Sequence, residues 1–426
     1  MSTKDVYMVI GGSGFLGRHI VKTLLGRGES VSVFDIVQQY DDTPFYSGDI
    51  SNKDQVSAAL ATSGATCIFH TASPHQGAKG PVLFKVNVQG TNAVIAAAVA
   101  NNVRKLVYTS SAGVPFDGHD IIDGDERLPY PAKPIDPYTD SKAQAEQIVL
   151  EANGKGGLLT VAIRPAGIFG PGDKQMLVGT IKALREGKSH VQIGSNTNLF
   201  DMTYVDNMVH AHILAAEKLS PPEPYDIDKV RAQLTRPLGF VDASTPRRRI
   251  PTSAARPLGP YVERPPNADA LEAAWRAPPP PRRAPERARF DPLSDAALAR
   301  ADKNPLQVAG SVFFISNGEP VYFWDLMRAI WRAADPEHYP SRKVVVIPRS
   351  LGVVLASVTE GIAWITGRDP LFTRFRVAIV SAHRWHNIER ARRALGYEPI
   401  VGLDEGIRRS MEWWHAEEAK AASRAA

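Results

Sequence analysis

Apolar and polar positions along the N-terminal half change period repeatedly, from unbroken short runs to helical spacing and back. Val6–Ile10 is an apolar run ending in glycines, which predicts a buried strand. Phe15, Leu16, Ile20, Leu24 and Leu25 then recur at helical spacing. Val31–Asp35, Cys67–His70, Lys105–Thr109 and Thr160–Ile163 read as further strands, with an Ala/Val-rich helix over Asn92–Ala100. This repetition predicts an α/β fold, a doubly wound parallel sheet of Rossmann type with helices on both faces. Beyond residue 308 the pattern is mixed, with Val312–Ile315 strand-like and Trp324–Ala334 helical. Leu351, Val354, Leu355, Val358 and Ile362 share one helical face, with Trp364 and Ile365 beyond. That face suits a buried core helix, a membrane-surface helix or the lid of a lipid pocket. Glu360 and the shortness of the stretch argue against a bilayer span.

Composition adds one boundary. Of 33 prolines in 426 residues, 15 fall between 223 and 307, with 15 Lys/Arg against 11 Asp/Glu. Arg247-Arg248-Arg249 and Pro278-Pro279-Pro280-Pro281 lie there. Such a stretch buries too little apolar surface to offset its ordering entropy, so it is expected to be largely disordered, with a short helix over Ala268–Ala277. It reads as a tolerated surface insertion or a misread intron, or else as a regulatory or RNA-binding insert. Most of the net charge of +5 sits in it, so the folded body gives no reason to expect a nucleic-acid partner. The expected organisation is a cofactor-binding domain over 1–222 that also carries the catalytic set and the first substrate-region segments, the insert over 223–307, and a smaller substrate-binding and membrane-associating region over 308–426. The single cysteine, Cys67, excludes an internal disulfide framework and a cysteine-based zinc site. No metal is expected, and His210 and His212 read as surface or packing residues.

The glycine turn is the first chemical motif. Gly11, Gly14 and Gly17 stand where the first strand meets the first helix. Such a turn tolerates positive φ and lets a phosphate approach the helix N-terminus closely. Asp35, at the end of the second strand, is placed to accept from both ribose hydroxyls and to repel a 2′-phosphate, which favours NAD over NADP. Asp49-Ile50 follows the third strand, where an acid meets the adenine edge or simply caps a turn.

Pro137-Tyr138-Thr139-Asp140-Ser141-Lys142 is the second motif, a Tyr-x-x-x-Lys pair opening a helix after an Asp136 cap. The pair shares one helix face, and an ammonium beside a phenol lowers its pKa, so Tyr138 is a candidate general base. Ser110 and Ser111 follow a core strand at the crevice edge. Ser111 is the candidate partner of the substrate oxygen, and both serines also suit plain turn chemistry.

With these motifs in view, the chain resembles the extended short-chain dehydrogenase/reductase superfamily. Within the 3β-hydroxysteroid dehydrogenase group it is similar to the fungal decarboxylating sterol-4α-carboxylate 3-dehydrogenases. His70–Pro74, Val86–Thr91, Tyr108–Val114, Arg164–Asp173, Asn198–Asp201, Phe313–Asn317, Trp385–Ile388 and Leu395–Tyr397 carry the resemblance, which covers nearly everything outside 223–307. It implies Tyr138 as base, Lys142 as its partner and ribose ligand, and Ser111 on the substrate oxygen. It further implies Gly11, Gly14, Phe15, Leu16, Gly17 and Asp35 on the dinucleotide, with Asp49, Ile50 and Ala72 at its adenosine half. Pro165 and Ile168 would flank the nicotinamide, and Asn87 would position a backbone group or water near Lys142. The implied reaction is NAD-dependent oxidation of a 3β-hydroxy-4α-carboxysterol with loss of carbon dioxide, in the C4 demethylation of ergosterol-type sterols. The implied setting is peripheral, on the cytoplasmic face of the endoplasmic reticulum membrane or on lipid droplets, as a homodimer or beside the other C4-demethylation enzymes. A different 3β-hydroxysteroid substrate, or a nucleotide-sugar epimerase or dehydratase, shares the same motifs.

Overall fold

The structure, a computed structural model, describes residues 4–235, 293–337, 339, 343–366 and 372–425. Its strands in chain order are β1 Val6–Ile10, β2 Ser30–Asp35, β3 Phe45–Ser47, β4 Cys67–His70 and β5 Lys105–Thr109. There follow β6 Ile121–Gly124, β7 Leu159–Pro165, β8 Gly167–Phe169, β9 Val191–Ile193 and β10 Leu199–Phe200. The last are β11 Met202–Tyr204, β12 Ser311–Ile315, β13 Val321–Tyr322, β14 Val345–Ile347 and β15 Arg384–His386.

Seven strands form one parallel sheet in the order β12-β7-β5-β4-β1-β2-β3. Its central strands are buried on both faces, which is why they read as unbroken apolar runs. Alternate residues of β1 go to opposite layers. Val9 packs in the layer of Ile20 and Leu24 from the helix Phe15–Gly26 and Val209 from the helix Val205–Lys218. Met8 and Ile10 face Leu60, Val94 and Val149 from the helices Lys53–Ser63, Gly80–Ala100 and Pro137–Glu151. The connections reverse direction between β1 and β4, and a crevice opens at their carboxyl ends. By length and composition Gly80–Ala100 is apolar enough to cross a membrane, yet Asn87, Gly90, Val94, Ala97 and Ala98 are buried against the domain. Within it, Phe84–Gly90 widens to a π-helical turn.

The structure differs from the expected boundaries at β12 and at the ends of 223–307. Strand β12, from beyond the Pro/Arg-rich stretch, pairs with β7 and completes the main sheet. Conversely, β6 from the first part joins β15, β10 and β13 in a small second sheet. The regions 1–222 and 308–426 are therefore interleaved. The ends of 223–307 are also folded: Ile227–Thr235 and Asp295–Leu298 are helices, and Val230, Leu234, Leu293, Leu298 and Leu306 form their own apolar cluster. Arg247–Arg249, Ala268–Ala277 and the proline run at 278–281 lie outside the described residues.

The helix Arg349–Thr366 leaves its apolar face open. Val354 is 57% and Val358 55% exposed, with Leu351, Leu355 and Ile362 beside them, while Ala356 on the other face is buried. It is not the buried core helix that its pattern also allowed.

Candidate active site

At the crevice, β1 runs into a turn and then the helix Phe15–Gly26, whose N-cap, Gly14, offers no side-chain acceptor. The first-turn N–H groups are thus left for a ligand. Gly11 has φ +86°, and a Cβ there would meet Ala72 N at 2.6 Å and Thr71 Oγ1 at 2.9 Å. A Cβ on Gly17 would collide with the Gly11 carbonyl. Asp35 accepts from Ser13 N at 3.0 Å and Ile36 N at 2.7 Å. Burial raises its pKa, and those backbone donors pull it partly back. A bare helix N-terminus, a turn of three glycines whose Ser13 hydroxyl is given to the Val37 carbonyl, and a carboxylate one strand away fit the pyrophosphate and ribose of a dinucleotide.

Asp49 and Ile50 also line this pole, but the Asp49 carboxylate is engaged. It pairs with Lys85 at 2.8 Å and accepts from Ser51 N and Oγ, which together hold it at about 2. Arg18, next to Gly17, is bidentate to Asp42 at 2.7 and 2.6 Å and lies over the Tyr40 ring.

The second pole is built on the helix Pro137–Glu151. Asp136 caps it through Thr139 N at 2.7 Å, and Tyr138 and Lys142 follow one turn apart. Lys142 is buried; its Nζ donates to the Thr109 carbonyl at 2.8 Å and sits 4.9 Å from the Tyr108 ring centroid. Burial lowers it to about 7, against a smaller opposing pull from Glu146. The sequence expectation that Lys142 lowers the Tyr138 pKa is not met in this state. Burial first, and the Asp136 charge second, push the phenol up to about 12, and the lowering comes from Ser111. The reason is geometric: a lysine at the buried sheet edge must satisfy its ammonium, and the nearest acceptor is a strand carbonyl.

Ser111 Oγ accepts from Gly113 N at 3.0 Å, which turns the hydroxyl towards Tyr138. Ser110 lines the cavity too, with its N–H given to Ile163 O at 2.7 Å. Asn87 does not bond Lys142. Its Nδ2 donates to Ser141 Oγ at 2.9 Å, and Ser141 Oγ donates to the Tyr138 carbonyl at 2.9 Å, so it props the backbone of the base. His212 is a packing residue, bonded to Thr109 Oγ1 at 2.7 Å and Met208 O at 2.8 Å, and His210 tilts against Tyr397.

One cavity of about 960 Å³ joins the two poles. Gly11, Gly14, Phe15, Leu16, Gly17, Asp35, Asp49, Ile50, Ala72, Ser111, Tyr138, Lys142, Pro165 and Ile168 all line it, and Asn87 lies behind the wall. Its far wall is Phe116, Phe200, Phe375, Ile379, Asp201, Arg384 and His386, none of which sequence reasoning gave a role. The stretches Asn198–Asp201 and Trp385–Ile388 carried the resemblance, and the residues they share with that wall were the available signal.

The model of the 3-beta hydroxysteroid dehydrogenase/isomerase family matches residues 8–235. The chain belongs to this family. The decarboxylating sterol-4-alpha-carboxylate 3-dehydrogenase of Saccharomyces cerevisiae is 34% identical, with 97% of this chain and 99% of that one covered. The human protein of the same name is also 34% identical, with 95% and 87% covered. Among solved structures, a short-chain dehydrogenase/reductase superfamily protein from Agrobacterium tumefaciens with bound NAD has a TM-score of 0.58 at 16% identity, covering 98% of this chain and 99% of its own. The Thermus thermophilus UDP-glucose 4-epimerase complex with NAD gives 0.55 at 18%, covering 96% and 98%. These structures share the fold with this member of the family.

Proposed function

We propose that the protein oxidises a 3β-hydroxy-4α-carboxysterol to the 3-ketone with loss of carbon dioxide, using NAD. The observation that carries this reading is the joining, in one cavity, of a dinucleotide-shaped pole, the Ser111/Tyr138/Lys142 set and a far wall carrying Phe116, Phe200, Phe375 and Ile379, in a chain whose relatives carry that activity in their names. Bound NAD⁺ supplies the two-electron acceptor that takes hydride from C3. Gly11, Gly14 and Gly17 would hold its pyrophosphate, Asp35 the adenosine ribose and Lys142 the other ribose, with Pro165 and Ile168 beside the nicotinamide. Asp35 carries a charge that a 2′-phosphate would meet, and Arg18, next to Gly17, is already engaged by Asp42. Both facts favour NAD over NADP.

Ser111 holds the C3 oxygen while Tyr138 takes its proton. The resulting β-keto acid breaks its C4–carboxyl bond, and the electron pair passes into the C3 carbonyl as an enolate. Tyr138, now protonated, and Ser111 both donate to that oxygen as its charge develops. C4 then takes a proton, and no metal is required at any step.

A nucleotide-sugar epimerase shares the fold and the Tyr/Lys pair. Phe116, Phe200, Phe375 and Ile379 favour a sterol over a sugar diphosphate on the far wall. The open face of Arg349–Thr366 supports peripheral attachment to the endoplasmic reticulum membrane, close to an apolar substrate. The test is incubation of the full chain with NAD⁺ and either a 4α-carboxysterol or UDP-glucose. NADH formed with a 3-ketosterol of matching mass is the expected result; epimerised sugar and unchanged sterol would overturn it.

A further inference from the structure

Two Lys/Arg side chains line the cavity, Lys142 and Arg384. Lys142 belongs to the pole built on the Tyr138 helix and is satisfied by the Thr109 carbonyl. Arg384 stands on the far wall, on β15, with its guanidinium 4.6 Å from the Phe116 ring centroid and 5.4 Å from that of Phe200. Its Nε is buried without a hydrogen-bond partner, and no ion pair to Arg384 occurs among the described residues.

The carboxylates nearest in charge are engaged elsewhere. Asp136 caps the Tyr138 helix through Thr139 N at 2.7 Å and Thr139 Oγ1 at 2.9 Å. Asp201 accepts from His386 N at 2.6 Å and lies 3.4 Å from His386 Nδ1. They help Arg384 keep its proton, while burial lowers it to about 10, so it remains a cation at neutral pH. Other buried arginines are treated differently. Arg164 is bidentate to Glu146, and Arg390 donates to Pro305 O, Val312 O and Ser311 Oγ. A guanidinium on aromatic rings without a matching acceptor is costly in the free protein, and an incoming anion relieves that cost.

We propose that Arg384 binds the carboxylate of the substrate, so that the site selects a sterol acid over the corresponding neutral sterol alcohol. This rests on the sterol-dehydrogenase reading above. The placement is fixed by backbone pairing. Arg384 is in register with Ile121 of β6 and with Phe200 of β10, and Phe116 belongs to the turn that begins at Ser111. A ring whose C3 oxygen lies between Ser111 and Tyr138 carries its acid on the adjacent carbon, towards this wall. Holding the acid from one end orients the C4–carboxyl bond for cleavage. As that bond breaks, its electron pair moves to the C3 oxygen, where Ser111 and Tyr138 receive the charge, and carbon dioxide leaves neutral. Arg384 then has no anion to hold, which favours release of the ketone.

The experiment compares the full-length wild type with Arg384→Gln and Arg384→Lys. Each is assayed for kcat and KM on a 4α-carboxy-3β-hydroxysterol and on the same sterol without the acid. NAD Kd by fluorescence titration reports on the fold independently of turnover. The expected result is a fall of about 100-fold in the preference for the acid in Arg384→Gln, mostly in KM, with part restored in Arg384→Lys. An Arg384→Gln protein that binds NAD normally and keeps the wild-type preference would overturn the proposal. So would an equal loss on both sterols, which is the mark of a purely structural arginine. Wild type that oxidises the neutral alcohol but never the acid would instead overturn the functional reading, and the proposal with it.

Discussion

The cofactor pole and the far wall of the cavity are made in opposite ways. The cofactor pole is nearly continuous in sequence: a strand, a turn from Gly11 to Gly14, a helix with Gly17 in its first turn, and Asp35 at the end of the next strand. The far wall is assembled from Phe116 in a turn, Phe200 on the two-residue β10, Phe375 and Ile379 on the helix Arg374–Ser381, and Arg384 on the three-residue β15. The first pole is dictated by backbone conformation, which few residue types can satisfy. The second is dictated by long-range pairing, which many can. Changes at the first should therefore abolish binding outright, whereas changes at the second should redirect it.

Gly11→Val presses this contrast hardest. Its side chain would enter the backbone of Ala72 at a positive φ, so NAD binding should fall by about a thousandfold or more, as read by calorimetric titration. Retention of near-normal NAD affinity would mean that the turn does not carry the dinucleotide.

Between the poles, Arg164 on β7 grips Glu146 on the Tyr138 helix, with Tyr130 also donating to Glu146 at 2.5 Å. Arg164→Ala strands a buried carboxylate and should cost about 3–5 kcal/mol in urea unfolding. A cost below about 1 kcal/mol would show that the helix is held by packing alone.

His70 and His212 sharpen the comparison from the side of pH, since both lie in the sheet layers rather than on the far wall. Burial pushes them down to about 3 and about 4. In the unfolded chain each returns to the ordinary imidazole value near 6.5, so the unfolded state binds more protons between about pH 4 and 6.5. Their effect is level above about 6.5, and stability then falls with pH by up to about 1.4 kcal/mol per group per unit. Calorimetric Tm should hold level down to about pH 6.5 and drop from there to pH 5; a flat profile would show that these imidazoles are not held neutral.

The smallest expected effect is on the outer face of Arg349–Thr366. Val354→Asp with Val358→Asp should change unfolding free energy by about 0.5 kcal/mol or less, yet remove binding to phospholipid vesicles in flotation. Vesicle binding that survives would assign membrane contact to another surface.

This division also explains what could be read in advance. Val6–Ile10, Cys67–His70 and Lys105–Thr109 are strands at the residues where apolar runs predict them, because central parallel strands are buried on both faces. The Tyr138/Lys142 pair was legible from its cap and spacing, but the carbonyl that takes the Lys142 proton donor was not, since it comes from β5, 33 residues away. The ends of the Pro/Arg-rich stretch were hidden by averaging. Val230 and Leu234 meet Leu293, Leu298 and Leu306 across a long sequence gap, so no local window shows the cluster. Arg384 was hidden for the same reason, being an ordinary arginine until Phe116 and Phe200 are brought beneath it.

The most direct test of the whole account is a single-turnover comparison of wild type with Tyr138→Phe on a 4α-carboxysterol, with NAD affinity measured alongside. The account predicts that wild type forms NADH, carbon dioxide and 3-ketosterol in equal amounts. Tyr138→Phe should bind NAD normally and form all three at least about a thousandfold more slowly. A Tyr138→Phe enzyme that turns over at the wild-type rate would contradict the assignment of the base, and with it the chemistry derived from this cavity.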